Sequence, residues 1–211
     1  MLTALDVMQD APVIPVIVLN NPDLAVPMAK ALVAGGIRML EVTLRTPVAL
    51  ECIARIKGEV PGAVVGAGTV CNAKDAKAAF DAGARFAVSP GYTSEVGITC
   101  RELSLPLLPG VATASEVMMA MADGYTELKF FPAVQAGGIA MIKALGGPFP
   151  HIRFCPTGGI TQQNAPDFLS LSQVVCVGGS WLVPADALKL RDFAQIQALA
   201  SAAANLRTSA A

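Results

Sequence analysis

The sequence is poor in the residues that build metal centres and charged binding surfaces. Of its 211 residues, one is histidine and 15% are charged. The single histidine, His151, lies in a Pro-rich turn where we expect it to be solvated, which disfavours a His-rich metal site and a Ser-His-Asp triad. The five cysteines are scattered and contain no Cys-x-x-Cys pair. That distribution is typical of reduced, mostly buried thiols rather than of a zinc site or a disulfide framework.

Long apolar runs and a strong net charge are also missing. Pro, Gly and charged residues interrupt every stretch before it reaches the roughly 18–20 residues that a spanning helix needs, and the formal net charge is −1. These features predict no membrane span and no electrostatic footprint for nucleic acid. Residues 1–10 carry acids and no basic segment, unlike a secretory signal, so the sequence predicts a cytoplasmic protein. The low charge favours an oligomeric interface.

What is present is an alternation of short β-branched runs with Ala-rich amphipathic stretches. It predicts one domain over residues 1–211, with strands between about 13 and 180, a C-terminal helix at about 185–206 and a tail that frays. The candidate strands are Val13–Leu19, Ile37–Leu44, Ala63–Val70, Phe86–Pro90, Leu105–Val111, Glu127–Pro132, Arg153–Thr157 and Val174–Ser180.

Eight strands that alternate with helices admit two α/β architectures. One is a closed (β/α)8 TIM barrel and the other an open, doubly wound sheet. A Gly-rich dinucleotide fingerprint after the first strand would favour the open sheet, but residues 18–23, Val-Leu-Asn-Asn-Pro-Asp, contain none. The pattern therefore predicts the barrel.

Lys129 stands out because it interrupts an apolar strand that continues into two aromatic residues. A buried ammonium without a partner is costly, so such a lysine favours the neutral amine, which attacks carbonyls to form a Schiff base. The alternative is that Lys129 lies at a strand end and extends its charged head into water.

Strand alternation decides which side chains accompany Lys129 inside the barrel. In the stretch 40–45 the pattern points Glu41, Thr43 and Arg45 inward, because the even-numbered residues are apolar and face the helices. In the sixth strand it points Lys129 inward, together with the aromatic residue two positions later.

The same alternation, applied to residues 65–69, predicts Ala67 and Thr69 inside the barrel and Gly66 and Gly68 against the helices. Acid, base and hydroxyl groups would then converge near the carboxyl ends of the strands, where barrel enzymes place their active sites. The alternative is a structural salt bridge of Glu41 at the barrel rim.

Paired glycines follow the seventh and eighth strands. Gly158 and Gly159 belong to the first pair, and Gly179 precedes Ser180 in the second. Such loops are either simple tight turns or places where backbone amides approach an anion, and barrels often bind phosphate there. The pattern favours a phosphate site.

Together these groups predict a reaction. Lys129 would attack a ketone, Glu41 would act as general acid and base, and Arg45 with Thr69 would hold a carboxylate. A 2-keto acid that carries a phosphate at its far end would satisfy every group.

Five ordered motifs, spread over about Pro12 to about Ala187, carry a family resemblance. They are residues 41–46 (EVTLRT), 65–70 (VGAGTV), 89–91 (SPG), 128–133 (LKFFPA) and 154–160 (FCPTGGI). The chain resembles the KDPG/KHG aldolases, class I aldolases for 2-dehydro-3-deoxy-6-phosphogluconate (KDPG).

The resemblance implies a (β/α)8 barrel, a homotrimer, no metal or cofactor, and a lyase of the Entner–Doudoroff pathway that releases pyruvate and glyceraldehyde 3-phosphate. It implies that Lys129 forms the Schiff base and Glu41 transfers protons. The carried-over binding residues are Arg45, Thr69 and Lys129 for the carboxylate, Pro90 and Phe131 for packing, and Gly158, Gly159, Gly179 and Ser180 for the phosphate.

One position departs from the family pattern, because Val18 stands where many relatives carry an arginine. Three rival functions also stay open. They are the same chemistry on the galactonate epimer or on 4-hydroxy-2-oxoglutarate, a pyridoxal-phosphate barrel in which Lys129 holds the cofactor, and a non-catalytic module that binds phosphate ligands.

Overall fold

The structure, a computed structural model, describes residues 2–206 as an alternation of strands and helices. The strands are β1 Val13–Ile17, β2 Met39–Thr43, β3 Val64–Gly68, β4 Ala87–Val88, β5 Leu107–Leu108, β6 Gly110–Val111, β7 Glu127–Phe130, β8 Arg153–Pro156 and β9 Val177–Gly179. The helices are α1 Ala4–Gln9, α2 Ala25–Ala34, α3 Ala49–Glu59, α4 Ala73–Asp81, α5 Ser94–Glu102, α6 Ala114–Ala122, α7 Gly138–Gly146, α8 Ala165–Leu169, α9 Ala185–Leu190 and α10 Phe193–Ala204.

Several helices start where a polar side chain accepts a hydrogen bond from the first turn. Asn72 caps α4, Thr93 caps α5, and Thr113 caps α6 in a capping box completed by Glu116. These caps satisfy amide groups that the helix itself leaves without acceptors. They fix the helix starts just after the ends of β3, β4 and β6, so the loops at this end of the sheet are short.

The strands pair in parallel throughout. A six-stranded sheet has the order β5-β4-β3-β2-β1-β9, and a three-stranded sheet has the order β6-β7-β8. Two isolated parallel bridges, Phe154 with Val174 and Thr157 with Gly178, lie between β8 and the β9 segment. The fold is therefore α/β, as predicted from the sequence, with a parallel sheet that forms a half-barrel.

The predicted fifth strand, 105–111, is divided in the structure. Pro109 separates β5 from β6, because proline has no N–H to donate to a strand ladder. Its carbonyl still accepts a hydrogen bond from the Lys129 amide at 2.9 Å. The interruption thus leaves the backbone of Lys129 anchored to the neighbouring strand.

Two apolar clusters lie on opposite faces of the strands. The larger one packs the sheet against the surrounding helices and includes Leu40, Val65 and Leu128. The smaller one, which we call the inner core, contains Val7, Met8, Ile14, Met39, Phe86, Val88, Leu108, Cys155 and Cys176. It shows that alternate residues of the strands face the concave side, with helix α1 supplying part of the packing.

The predicted alternation is correct for β2 and wrong for β3. Met39, two residues before Glu41, belongs to the inner core, whereas Ala67 belongs to the helix-facing cluster. Gly66 instead lies beside Phe86 of the inner core, where a Cβ atom would be 2.5 Å from the ring. Strand β3 is therefore inverted relative to the prediction, because its inward positions have no side chain to reveal the pattern and large neighbours occupy their space.

The predicted C-terminal helix at 185–206 is also corrected. Two helices, α9 and α10, occupy this range, because Arg191 adopts a left-handed conformation (φ 55°) that ends α9. Asp192 then accepts a hydrogen bond from the Gln195 amide and caps α10. The predicted fraying of the tail beyond residue 206 lies outside the described residues.

Other expectations from composition are met in the described residues. His151 is exposed in its turn, Cys71 is exposed, and the other four cysteines are buried. None of the helices between residues 2 and 206 combines the length and hydrophobicity required to cross a bilayer.

The packing of Gly66 against Phe86 can be tested by stability. We expect Gly66→Ala to lower the free energy of unfolding by about 2 kcal/mol, because the added methyl overpacks a rigid ring. Gly58→Ala in α3, where no atom lies within 4 Å of the new Cβ, should raise it by roughly 0.5–1 kcal/mol. Urea unfolding measures both, and equal effects at the two sites would contradict the inverted β3.

Candidate active site

The centre of the site is a buried ion pair between two strands. Lys129 on β7 and Glu41 on β2 are separated by 88 positions in sequence, yet Lys129 Nζ lies 3.4 Å from Glu41 Oε1. Their side chains are 5% and 3% exposed. The sequence alternative in which Lys129 extends into water is therefore excluded, and acid and amine stand within reach of one another.

Glycine residues on neighbouring strands leave room for the ion pair. A Cβ atom at Gly68 would collide with the Glu41 carboxylate, so β3 must carry glycine there. Gly110 of β6 pairs in register with Lys129, and its missing side chain admits the backbone of Pro90. Pro90, predicted to pack around the substrate, therefore lies beside the strand next to Lys129.

Arg45 and Thr69 meet at the edge of the site. Arg45 Nε donates to Thr69 Oγ1 at 3.3 Å. Thr69 follows β3 with a left-handed backbone (φ 61°), so strand alternation does not govern its side chain. Thr69 therefore contacts Arg45, as predicted, although the side chains of β3 face the opposite way from the prediction. A non-glycine residue in this conformation is uncommon and costs conformational energy.

The guanidinium of Arg45 is available to a ligand. Arg45 is exposed, and it forms no ion pair with any carboxylate in residues 2–206. A planar fork of N–H donors beside a threonine hydroxyl suits a carboxylate group.

Phe131 connects the ion pair to an open cavity. Its ring centroid lies 5.2 Å from Lys129 Nζ, within range of a cation–π contact. Phe131 also lines a cavity of about 220 Å³, which we call the central cavity. Its other lining residues are Val16, Arg45, Thr157, Gly158, Gly159, Ile160, Gly178 and Ser180.

The loop after β8 lines this cavity and, within the described residues, leaves two of its backbone amides without acceptors. Gly158 and Gly159 adopt positive φ values of 101° and 74°, which favour glycine. Asn164 Nδ2 donates to the Gly159 carbonyl at 3.0 Å and holds the turn. Among residues 2–206 the amides of Gly159 and Ile160 find no acceptor, so they are free to bind an anion.

The loop after β9 contributes differently from the prediction. Gly178 and Ser180 line the central cavity, whereas Gly179 faces away, with the Trp181 ring in the space of its missing side chain. Because strand residues alternate, the two neighbours of Gly179 point to the cavity. Gly179 thus positions the loop and is not brought to the cavity wall.

Sequence reasoning missed four residues that line the central cavity: Val16, Thr157, Ile160 and Gly178. Thr157 is buried, and its hydroxyl fills the space that a side chain at Gly178 would need. Strand alternation from Cys155, an inner-core residue, would have placed Thr157 inside. The other residues are apolar or glycine, and their types carry no comparable signal.

Cys71 lies close to Thr69. Its thiol donates to the Thr69 carbonyl at 3.4 Å. Burial, with a smaller contribution from Asp75, raises the pKa of this thiol above its usual value. The Cys71 thiol is therefore not activated as a thiolate.

Comparison with known proteins identifies what this arrangement is similar to. The model of the KDPG and KHG aldolase family matches residues 5–199. The 2-dehydro-3-deoxy-phosphogluconate aldolase of Dickeya dadantii is 54% identical over 198 residues, which cover 94% of this chain and 93% of that protein. The KHG/KDPG aldolase of Escherichia coli K12 is 52% identical, with the same coverage of each chain.

Solved structures agree with the sequence comparisons. A KDPG aldolase from Legionella pneumophila, crystallised with pyruvate captured as a covalent carbinolamine intermediate, superposes with a TM-score of 0.94 at 47% identity. The match covers 96% of this chain and 98% of that one. A 2-keto-3-deoxy-6-phosphogluconate aldolase of Zymomonas mobilis with 3-phosphoglycerate has a TM-score of 0.92 at 50% identity, covering 96% and 95% of the two chains.

The buried ion pair predicts strong coupling between its two residues. Glu41→Leu alone should destabilise the protein by about 3 kcal/mol, because it leaves the lysine buried without its partner. Lys129→Met in addition should restore stability to within about 1 kcal/mol of the wild type. Urea unfolding of the four members of this double-mutant cycle, at one protein concentration, measures the coupling, and simple additivity would contradict a direct interaction.

Proposed function

Because the chain belongs to the KDPG and KHG aldolase family, we propose that it is a class I aldolase that reversibly cleaves KDPG to pyruvate and glyceraldehyde 3-phosphate. The observation that carries this proposal is the buried pair of Lys129 Nζ and Glu41 Oε1 at 3.4 Å. A nucleophilic amine beside a carboxylate, next to a cavity with an unpaired guanidinium, suits a 2-keto acid.

The reaction starts at the ketone of the substrate. The free amine of Lys129 attacks C2, and loss of water gives an iminium that can accept an electron pair. Arg45 and Thr69 bind the adjacent carboxylate and orient C2 toward the amine. The Phe131 ring, 5.2 Å from Lys129 Nζ, covers one side of the intermediate.

Carbon–carbon cleavage follows from the iminium. Glu41, directly or through a water, removes the proton of the C4 hydroxyl, and the C3–C4 bond breaks as its electrons move into the iminium. Glyceraldehyde 3-phosphate leaves, and the remaining enamine takes a proton at C3, with Glu41 as donor. Hydrolysis then releases pyruvate and restores the amine of Lys129.

The far end of the substrate carries a phosphate. Gly158, Gly159 and Ser180 line the central cavity, and Gly179 shapes the loop that carries Ser180. The amides of Gly159 and Ile160 have no acceptor among residues 2–206, and Ser180 adds a hydroxyl. Backbone amides in such a concave turn bind phosphate oxygens. We assign these residues to the phosphate.

The proposal extends to the architecture and assembly. One residue, Pro109, separates β5 from β6, and isolated bridges lie between β8 and β9; these contacts support closure of the two sheets into one (β/α)8 barrel within a single domain. The homotrimer that the resemblance implies, and a cytoplasmic location, stay predictions.

The substrate assignment is tested by pyruvate release, coupled to lactate dehydrogenase and NADH oxidation. We expect kcat/KM for KDPG to exceed that for 4-hydroxy-2-oxoglutarate, which lacks the phosphate, and that for the galactonate epimer of KDPG. Equal values for the three compounds would contradict the assigned phosphate site. No pyruvate from any of them would contradict the aldolase itself.

The role of Glu41 is tested by proton transfer. Glu41→Gln keeps the size of the side chain but removes the base, so we expect kcat for KDPG to fall at least about 100-fold. Deuterium exchange at the pyruvate methyl group, followed by NMR, should slow in parallel. Glu127→Gln, on the same strand as Lys129 but at its opposite end, is the matched control. Unchanged exchange in Glu41→Gln would remove this residue from the mechanism.

A further inference from the structure

A second cavity adjoins the central one at the same end of the sheet. Its volume is about 560 Å³, and it lies between the end of β1 and helix α9, so we call it the β1–α9 cavity. Val16 and Ser180 line both cavities. The two cavities therefore share part of their walls, including the residue assigned to the substrate phosphate. The mechanism above does not use the larger cavity.

The walls of the β1–α9 cavity have a mixed chemistry. Val18, Leu24 and Leu188 form apolar surface, whereas Asn20 offers an amide. Such walls accommodate a chain of carbons that carry hydroxyl groups, since the amide can bind hydroxyls while the apolar side chains pack against C–H groups.

One cation lies in this cavity. Lys189, in the last turn of α9, is the only charged residue among those lining it. Lys189 is exposed, and within residues 2–206 no carboxylate lies close enough to form an ion pair with it. An unpaired ammonium at the wall of a cavity suits a phosphate group as a point charge.

We propose that the β1–α9 cavity is a subsite for aldehydes longer than three carbons that end in a phosphate, with Lys189 as the partner of that phosphate. This inference rests on the proposed aldolase function. The reaction that would use the subsite is the aldol addition of pyruvate to aldose phosphates with five carbons. Arg45 is the only charged residue lining the central cavity, and it is assigned to the carboxylate, so Lys189 is the cation left for a distant phosphate.

This addition forms and breaks the same types of bond as the proposed cleavage, in the reverse direction. The enamine carbon, C3 of pyruvate, attacks the aldehyde carbon and forms the new C–C bond. The aldehyde oxygen takes a proton from Glu41 and becomes a hydroxyl. Water then hydrolyses the iminium, which restores the Lys129 amine and releases an eight-carbon 2-keto acid phosphate.

The test compares pyruvate addition to D-ribose 5-phosphate, to D-ribose and to glyceraldehyde 3-phosphate, with products identified by mass spectrometry. We expect the wild type to form the eight-carbon acid and to prefer the phosphorylated pentose. Lys189→Ala should lower kcat/KM for D-ribose 5-phosphate about tenfold and leave that for glyceraldehyde 3-phosphate within about twofold. Because the open-chain fraction of the sugar is the same for every variant, the ratio to the wild type reports recognition.

Two further variants make the outcome decisive. Lys143→Ala, which removes an exposed lysine of α7 outside both cavities, should change neither reaction. Val18→Phe should fill part of the β1–α9 cavity and impair only the pentose phosphate. The subsite would be contradicted, and the aldolase proposal left intact, if the wild type added pyruvate to glyceraldehyde 3-phosphate but not to D-ribose 5-phosphate. It would also be contradicted if Lys189→Ala lowered kcat/KM equally for the two aldehydes. If the wild type added pyruvate to neither aldehyde, the aldolase proposal would be contradicted as well.

Discussion

The site depends on one interaction, the ion pair of Lys129 and Glu41 inside the protein. Removing an ammonium and a carboxylate from water is expensive, so the surrounding structure must hold them close and leave them space. Gly68 supplies that space, because any side chain there would collide with Glu41. The backbone of Lys129 is fixed by the carbonyl of Pro109. These constraints hold an amine and an acid together beside Phe131, which lines the central cavity.

The sequence was most informative where polar residues interrupt apolar strands. Glu41 and Lys129 alternate with apolar neighbours, so their inward direction and their meeting could be predicted. Strand β3 gave the wrong direction because its inward residues, Gly66 and Gly68, have no side chains. Thr69 nevertheless reaches Arg45, because its left-handed backbone lies beyond the strand. That conformation depends on tertiary packing and left no signal in the sequence.

The loops were predictable in kind but not in detail. Paired glycines after β8 and β9 predicted an anion site. The loop after β8 lines the central cavity and has two amides without acceptors among residues 2–206, so the site stays a prediction. In the second loop Trp181 occupies the space beside Gly179, which leaves Gly178 and Ser180 to line the cavity. Lys189 could not have been selected from sequence, because only the fold brings it and Ser180 to the walls of one cavity.

The proposed reaction requires that Lys129 forms a Schiff base with a 2-keto acid. The most direct measurement is borohydride reduction in the presence of pyruvate, followed by peptide mass spectrometry. We expect one stable adduct, with the mass of reduced pyruvate, on the peptide that contains Lys129, and no adduct without pyruvate. An unmodified Lys129 peptide, or an adduct on another lysine, would contradict it.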